Sequence, residues 1–79
     1  MFVVYVLKSA EGKFYKGMTN NLQRRLREHV AGGTRTTRKM SGLSVVYTEK
    51  YVTFDRARDR ELYLKSAAGR RFLKKKLGP

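Results

Sequence analysis

The sequence predicts an α/β fold in which a small, three-stranded, mainly antiparallel sheet is flanked by helices. Three observations carry that expectation. The chain opens on "MFVVYVLK", a β-branched and aromatic run of the kind that fits a pleated surface. The turn signal "SAEGK" and a second short run, "FYKG", follow it and complete a hairpin that turns near Gly12. Leu22, Leu26 and Val30 then recur every four residues, the period of a helix laid on the sheet.

The elements follow in order. "TNN" supplies an N-cap, Asn20 or Asn21, for a helix over about residues 21–30, which "AGG" ends. "TRTTRKMSG" has no apolar period and reads as an exposed loop. "LSVVYTEKYV" reads as the third strand, with Val45, Tyr47 and Glu49 on one face and Val46, Thr48 and Lys50 on the other. Thr53 or Asp55 can cap a second long helix, "DRARDRELYLKSA". In that helix Ala57, Glu61 and Leu64 share a side, with Leu62 and Ala57 nearer the core. Gly69 is expected to break or bend it, leaving "RRFLKKKL" as a last short helix with Phe72, Leu73 and Leu77 inward and Lys74 to Lys76 outward.

At 79 residues the chain reads as one domain, 1–79. A chain of this length buries only about 60% of its unfolded surface, so packing has little to spare. No cysteine is present, which excludes a disulfide framework and a zinc–thiolate site. A single histidine excludes a multi-histidine metal site, so any metal must use oxygen ligands.

Nineteen Lys and Arg stand against six Asp and Glu, a net charge of +13. Such an excess points to a polyanionic partner. The charge is also grouped: residues 20–40 and 61–79 each hold six basic groups and one acid, whereas 41–60 hold four against three. No long apolar span, lipidation signal or secretory leader is evident, so nucleic acid is preferred to a membrane and the expected location is cytoplasmic, with the nucleoid.

Packing and capping leave several residues unexplained. A hairpin turning near Gly12 sets Tyr5 and Tyr15 on neighbouring strands, where they can face the same side. Half-buried sheet tyrosines are the bland explanation. Arg25 and His29 stand one helical turn apart, beside the leucine stripe, and Arg25 is aimed toward the sheet edge. Glu61 sits within "RARDRELYLK" on the side expected to approach the sheet, where an ordinary ion pair with Lys65 would also account for it.

The order and intervals of "VVYVLK", "FYKG", "NLQRRLREH" and "ARDRELYLK" resemble the GIY-YIG nuclease superfamily, especially its short bacterial single-domain branch, over nearly the whole chain. Val3-Val4-Tyr5 stands at the first tripeptide and Tyr15-Lys16-Gly17 at the second, with Val3 in place of a glycine and Lys16 in place of an apolar residue. The resemblance places Tyr5, Tyr15, Arg25, His29 and Glu61 on active-site positions. It implies hydrolysis of DNA phosphodiesters with one divalent ion, Mg2+ or Mn2+, held by Glu61 and completed by water and a phosphate oxygen. Tyr5, as phenolate or through a water, would serve as base for the attacking water, Arg25 would stabilise phosphoryl charge, Tyr15 would orient the water or phosphate, and His29 would hold Tyr5 or take up a proton. Arg25, the metal ion and the positive field would favour Tyr5 as phenolate.

The expected function is therefore a metal-dependent, nicking DNA endonuclease of low sequence specificity in repair or recombination, acting on duplex, branched or single-stranded DNA. A non-catalytic nucleic-acid-binding module of the same fold is the alternative. Lys16, Arg24, Arg35, Arg38, Lys39, Lys74, Lys75 and Lys76 are the expected nucleic-acid contacts. A monomer or weak dimer, with other repair proteins as partners, completes the expectation.

Overall fold

In the computed structural model, residues 1–32 and 41–78 are described. The opening run forms β1 (Phe2–Lys8) and the second forms β2 (Phe14–Thr19), followed by α1 (Leu22–Val30). Strand β3 (Ser44–Tyr51) and helices α2 (Phe54–Lys65) and α3 (Ala67–Leu77) complete the order. The sheet runs β2-β1-β3, with β1 antiparallel to both neighbours. The α/β architecture read from the sequence is thus observed: a three-stranded antiparallel sheet with three helices.

Both edges of the central β1 are paired and helices cover both of its faces, α2 and α3 on one and α1 on the other, so its alternation sorts two kinds of buried residue. Val4 and Val6 point into an apolar cluster completed by Ala57 and Leu64 of α2 and Leu73 of α3. Tyr5 and Leu7, on the other face, are equally buried. The apolar cluster attaches α2 and α3 to the sheet, and Phe2 and Phe54 meet edge to face at 5.7 Å where α2 begins.

Side-chain caps set the helix limits. Asn21 accepts from the Arg24 amide at α1, and Thr53 accepts from the Arg56 amide at α2. The break between α2 and α3 falls at Ser66, which ends one helix and caps the next by accepting from the Gly69 amide. Gly69 therefore does not break the helix as expected; it lies buried inside α3. A Cβ there would stand 2.0 Å from the Tyr63 carbonyl oxygen, so only glycine lets α3 lie this close to the end of α2.

Three further expectations are corrected. A bulge opposite Val6 and Leu7 pairs Tyr47 with Val6 but Val45 with Leu7. Val45 therefore faces away from Tyr47, while Val46 joins Tyr47 against the apolar cluster. Leu62 is 51% exposed, because Ala57 and Leu64 already define the inward face of α2. Val30 is 68% exposed, and His29 is buried in its place. The inward side of α1 thus runs through Leu22, Arg25 and Leu26, each half-buried, to the buried His29, an i, i+3, i+4, i+7 pattern that includes two polar residues.

Candidate active site

The register of the hairpin builds the site. Tyr5 pairs with Gly17 and Leu7 with Tyr15, so both tyrosines project from one face as diagonal neighbours, their rings 6.3 Å apart. The Tyr5 hydroxyl lies over Gly17, where a Cβ would come within 2.6 Å of it. A glycine at this position is what admits the buried phenol beneath the edge strand. From the sequence, Gly17 reads as a strand end or a close backbone approach, and the structure shows the close approach.

Helix α1 closes the face. His29 is 1% exposed, and its Nε2 lies 2.9 Å from the Tyr5 hydroxyl. The Tyr15 ring meets the imidazole edge to face at 4.8 Å. One turn earlier, the Arg25 guanidinium interacts with the hydroxyls of both tyrosines and donates to Glu28 Oε1 at 2.9 Å. Glu28, which sequence reading passed over, thus fixes the guanidinium from its outer side, at the i, i+3 spacing that could have revealed it. Glu61, from α2, is 17% exposed and forms an ion pair with Lys65 at 3.3 Å. Its charge also reaches Tyr5.

The electrostatics follow from burial and from Arg25. Burial pushes the Tyr5 phenol up to about 12; the hydrogen bond from Arg25 opposes this, and Tyr15 and Glu61 add to it. Arg25 acts in the direction that favours phenolate, but desolvation outweighs it, so Tyr5 is a neutral hydroxyl at pH 7. His29 is held below the usual histidine range, first by burial and then by the Arg25 charge. A neutral imidazole can accept the Tyr5 proton at Nε2, with Tyr5 O–H as donor. Glu28 and the two hydroxyls raise Arg25, which stays charged.

Of the expected site residues, the structure brings Tyr5, Tyr15, Arg25 and His29 into one cluster, while Glu61 is paired with Lys65 and acts on Tyr5 through its charge. Among the described residues no group of three or more His, Asp or Glu side chains comes together. The protein's share of a metal site there would be the Glu61 carboxylate, a hard oxygen donor that suits a largely hydrated Mg2+ or Mn2+.

The expected nucleic-acid contacts divide. Arg24 lies on the outer side of α1, held by Asn20 at 3.3 Å and by Glu28 at 3.9 Å. Lys16 alternates with Tyr15 and Gly17 and so leaves β2 on the opposite face. Lys74, Lys75 and Lys76 are exposed along the last turn of α3. Arg35, Arg38 and Lys39 lie outside the described residues.

A second polar cluster, which the sequence does not reveal, sits on the face covered by α2 and α3. Glu49 accepts from Tyr47, Tyr51 and, in fork geometry at 2.9 and 3.1 Å, Arg60. Those donors hold its carboxyl below the usual range although burial opposes them. Arg60 also stacks 4.8 Å from the centroids of Tyr63 and Phe72. Every part of this cluster is tied to another part, as in a structural brace that joins β3 to α2.

With this geometry in view, comparison with known proteins places the chain in a class. The family model of the GIY-YIG catalytic domain matches residues 1–76, and the chain belongs to that nuclease family. It is 41% identical over 64 residues to a UPF0213 protein of Natronomonas pharaonis, covering 80% of this chain and 75% of the relative. A UPF0213 protein of Oceanobacillus iheyensis is 36% identical over 75 residues, covering 94% and 85% of the two chains. The solution NMR structure of a UPF0213 protein from Bacillus halodurans superposes with a TM-score of 0.61 at 28% identity, covering all of this chain and 89% of that one.

Proposed function

We propose that this protein is a divalent-metal-dependent DNA endonuclease whose reaction centre is the Tyr5–His29–Arg25 cluster with Tyr15 and Glu61. The observation that carries this reading is the 2.9 Å contact between a buried tyrosine hydroxyl and a buried imidazole nitrogen, set beside an arginine. Packing alone has no use for two polar atoms in that position, because each needs the other once water is removed. A phosphodiester would give Arg25 a second anion beside Glu28, one whose negative charge grows as the bond is cleaved.

The proton path follows from the two ionisations. A neutral Tyr5 cannot begin as phenolate base, but it can relay. As the attacking water forms its bond to phosphorus, it passes a proton to the Tyr5 oxygen while the Tyr5 hydroxyl proton moves to His29 Nε2. Imidazole becomes imidazolium, phenol remains phenol, and the sugar oxygen leaves with its bonding electrons and is protonated by solvent. Arg25 neutralises the phosphoryl oxygens throughout, and Tyr15, whose hydroxyl shares that guanidinium, positions the water or phosphate. Glu61 would hold Mg2+ or Mn2+, which when bound supplies Lewis-acid stabilisation of the phosphoryl charge.

The basic surface supports DNA as substrate, with affinity dominated by phosphate contacts and therefore steeply salt-dependent and weakly sequence-specific. A single cluster of this kind in one chain is suited to nicking, and repair or recombination is the setting we assign. The test compares the protein with Glu61→Gln on supercoiled, branched and single-stranded DNA in Mg2+ or Mn2+, with binding followed separately in EDTA. We expect metal-dependent nicking that falls at least about a hundredfold in the variant, with binding retained. Binding without cleavage by either protein on every substrate would replace this reading with a non-catalytic binding module.

A further inference from the structure

A groove of about 720 Å³ opens on the sheet face opposite the Tyr5 cluster, between the hairpin end of the sheet and the side of α3 that carries Leu73 and Leu77. Its volume falls within the roughly 300–1,000 Å³ of small-molecule sites. The lining divides by chemistry. Phe14, Val46 and Leu77 provide apolar surface, while Lys16, Arg70 and Lys74 provide cations. Among the described residues no acidic side chain lines it. Phe14 is 44% exposed although it is a strand aromatic, with Lys8 Nζ 5.7 Å from its ring centroid.

The cations crowd one another. Lys16 is held below the usual lysine range by burial and then by the charges of Arg70 and Lys65. Such convergence is unfavourable until an anion joins it. Lys65 also ties the groove to the reaction centre, because it is ion-paired with Glu61 while its charge reaches Lys16. Tyr15 and Lys16 are successive residues of an edge strand, so a strand of nucleic acid crossing β2 can meet both faces at once.

An apolar wall rimmed by cations fits an occupant that is flat and apolar in one part and anionic at its ends. We propose that the groove receives an unpaired nucleotide of a single-stranded DNA segment, its base against Phe14 and its flanking phosphates on Lys16, Arg70 and Lys74. This rests on the nucleic-acid reading above and adds the structural preference of the enzyme: DNA with unpaired nucleotides beside the cut. Base-paired DNA keeps its bases stacked and offers the groove only phosphate. Aromatic stacking of a base is sequence-tolerant and accounts for about a five- to hundredfold gain in affinity.

The experiment measures binding in EDTA, so that it does not depend on cleavage. The probes are a short oligothymidylate, a duplex of random sequence and phosphatidylglycerol vesicles. Phe14→Ala is expected to weaken oligothymidylate binding about tenfold with its salt slope unchanged and to change duplex binding less than twofold. Phe14→Trp should restore the affinity, which separates stacking from a disturbed fold. Arg70→Glu with Lys74→Glu should instead flatten the salt slope for the oligothymidylate. Equal affinities of wild type and Phe14→Ala, failure of Phe14→Trp to rescue, or an equal loss on duplex would each overturn the groove assignment while leaving the nuclease reading intact. Binding of the wild type to vesicles but to neither DNA would overturn both.

Discussion

The two faces of β1 are built from adjacent residues yet solve different problems. On one face Val4 and Val6 meet Ala57, Leu64 and Leu73, and all of their side chains are apolar. On the other, Tyr5 is as deeply buried but must satisfy a hydroxyl, which it does through His29 and Arg25. The apolar face gains stability from area removed from water, about 25 cal/mol per Å². The polar face gains little, because each hydrogen bond mainly offsets the water it replaced. The polar face holds only α1; α2 and α3 are attached on the opposite face by apolar contacts, with the Glu49–Arg60 brace beside them, so their docking does not depend on the Tyr5 cluster.

If that division is correct, the largest effect on stability comes from the apolar face. Leu64→Ala should cost about 2–5 kcal/mol in urea unfolding, as expected for a large-to-small change at a fully buried leucine. Nicking by the fraction that remains folded should stay within a few-fold of wild type. A variant that lost nicking without losing stability would show that the two faces are not separable.

The smaller effect comes from pH, and it acts through the polar face. His29 is held below its ordinary value, so the fold binds fewer protons there than the unfolded chain. Its contribution to stability is present above about pH 6.5 and is lost as pH falls through the lowered value. Tyr5 runs the other way: raised from 10.0 to about 12, it contributes fully below pH 10 and loses that contribution as pH rises through about 12. Unfolding measured from pH 4.5 to 11.5 should therefore show a plateau between these limits. His29→Gln should flatten the acid side and Tyr5→Phe the alkaline side, and an unchanged profile in either variant would contradict the assignment.

Much of the fold was legible because local chemistry and final structure agree. The β-branched opening run became the central strand, and Asn21 and Thr53 cap the helices they precede. What was not legible depends on partners distant in sequence. The bulge that turns Val45 away from Tyr47 exists only in register with β1. The Glu49–Arg60 brace needs β3 and α2 side by side. Along α1, a rule that buries apolar residues chose Val30, while the structure buries His29 because Tyr5 meets its imidazole nitrogen. Ser66 was passed over in favour of Gly69, since a cap in the middle of a helical pattern looks like an ordinary serine until the chain turns there. Of the candidate site, Tyr5, Tyr15, Arg25 and His29 were legible from order and spacing through the resemblance. Gly17 was legible only as a strand end or an unspecified close approach, and Glu28 was not legible, since their roles are to make room for one of those side chains and to steady another.

The most direct test of the account is single-turnover nicking of supercoiled DNA by Tyr5→Phe, with DNA affinity measured alongside. The substitution removes one oxygen, leaves the ring in place over Gly17, and deletes the path from attacking water to His29. We predict a loss of about 10²–10⁴-fold in the nicking rate with affinity unchanged within about twofold. Nicking at the wild-type rate would contradict the central claim that the buried tyrosine–histidine pair carries the proton.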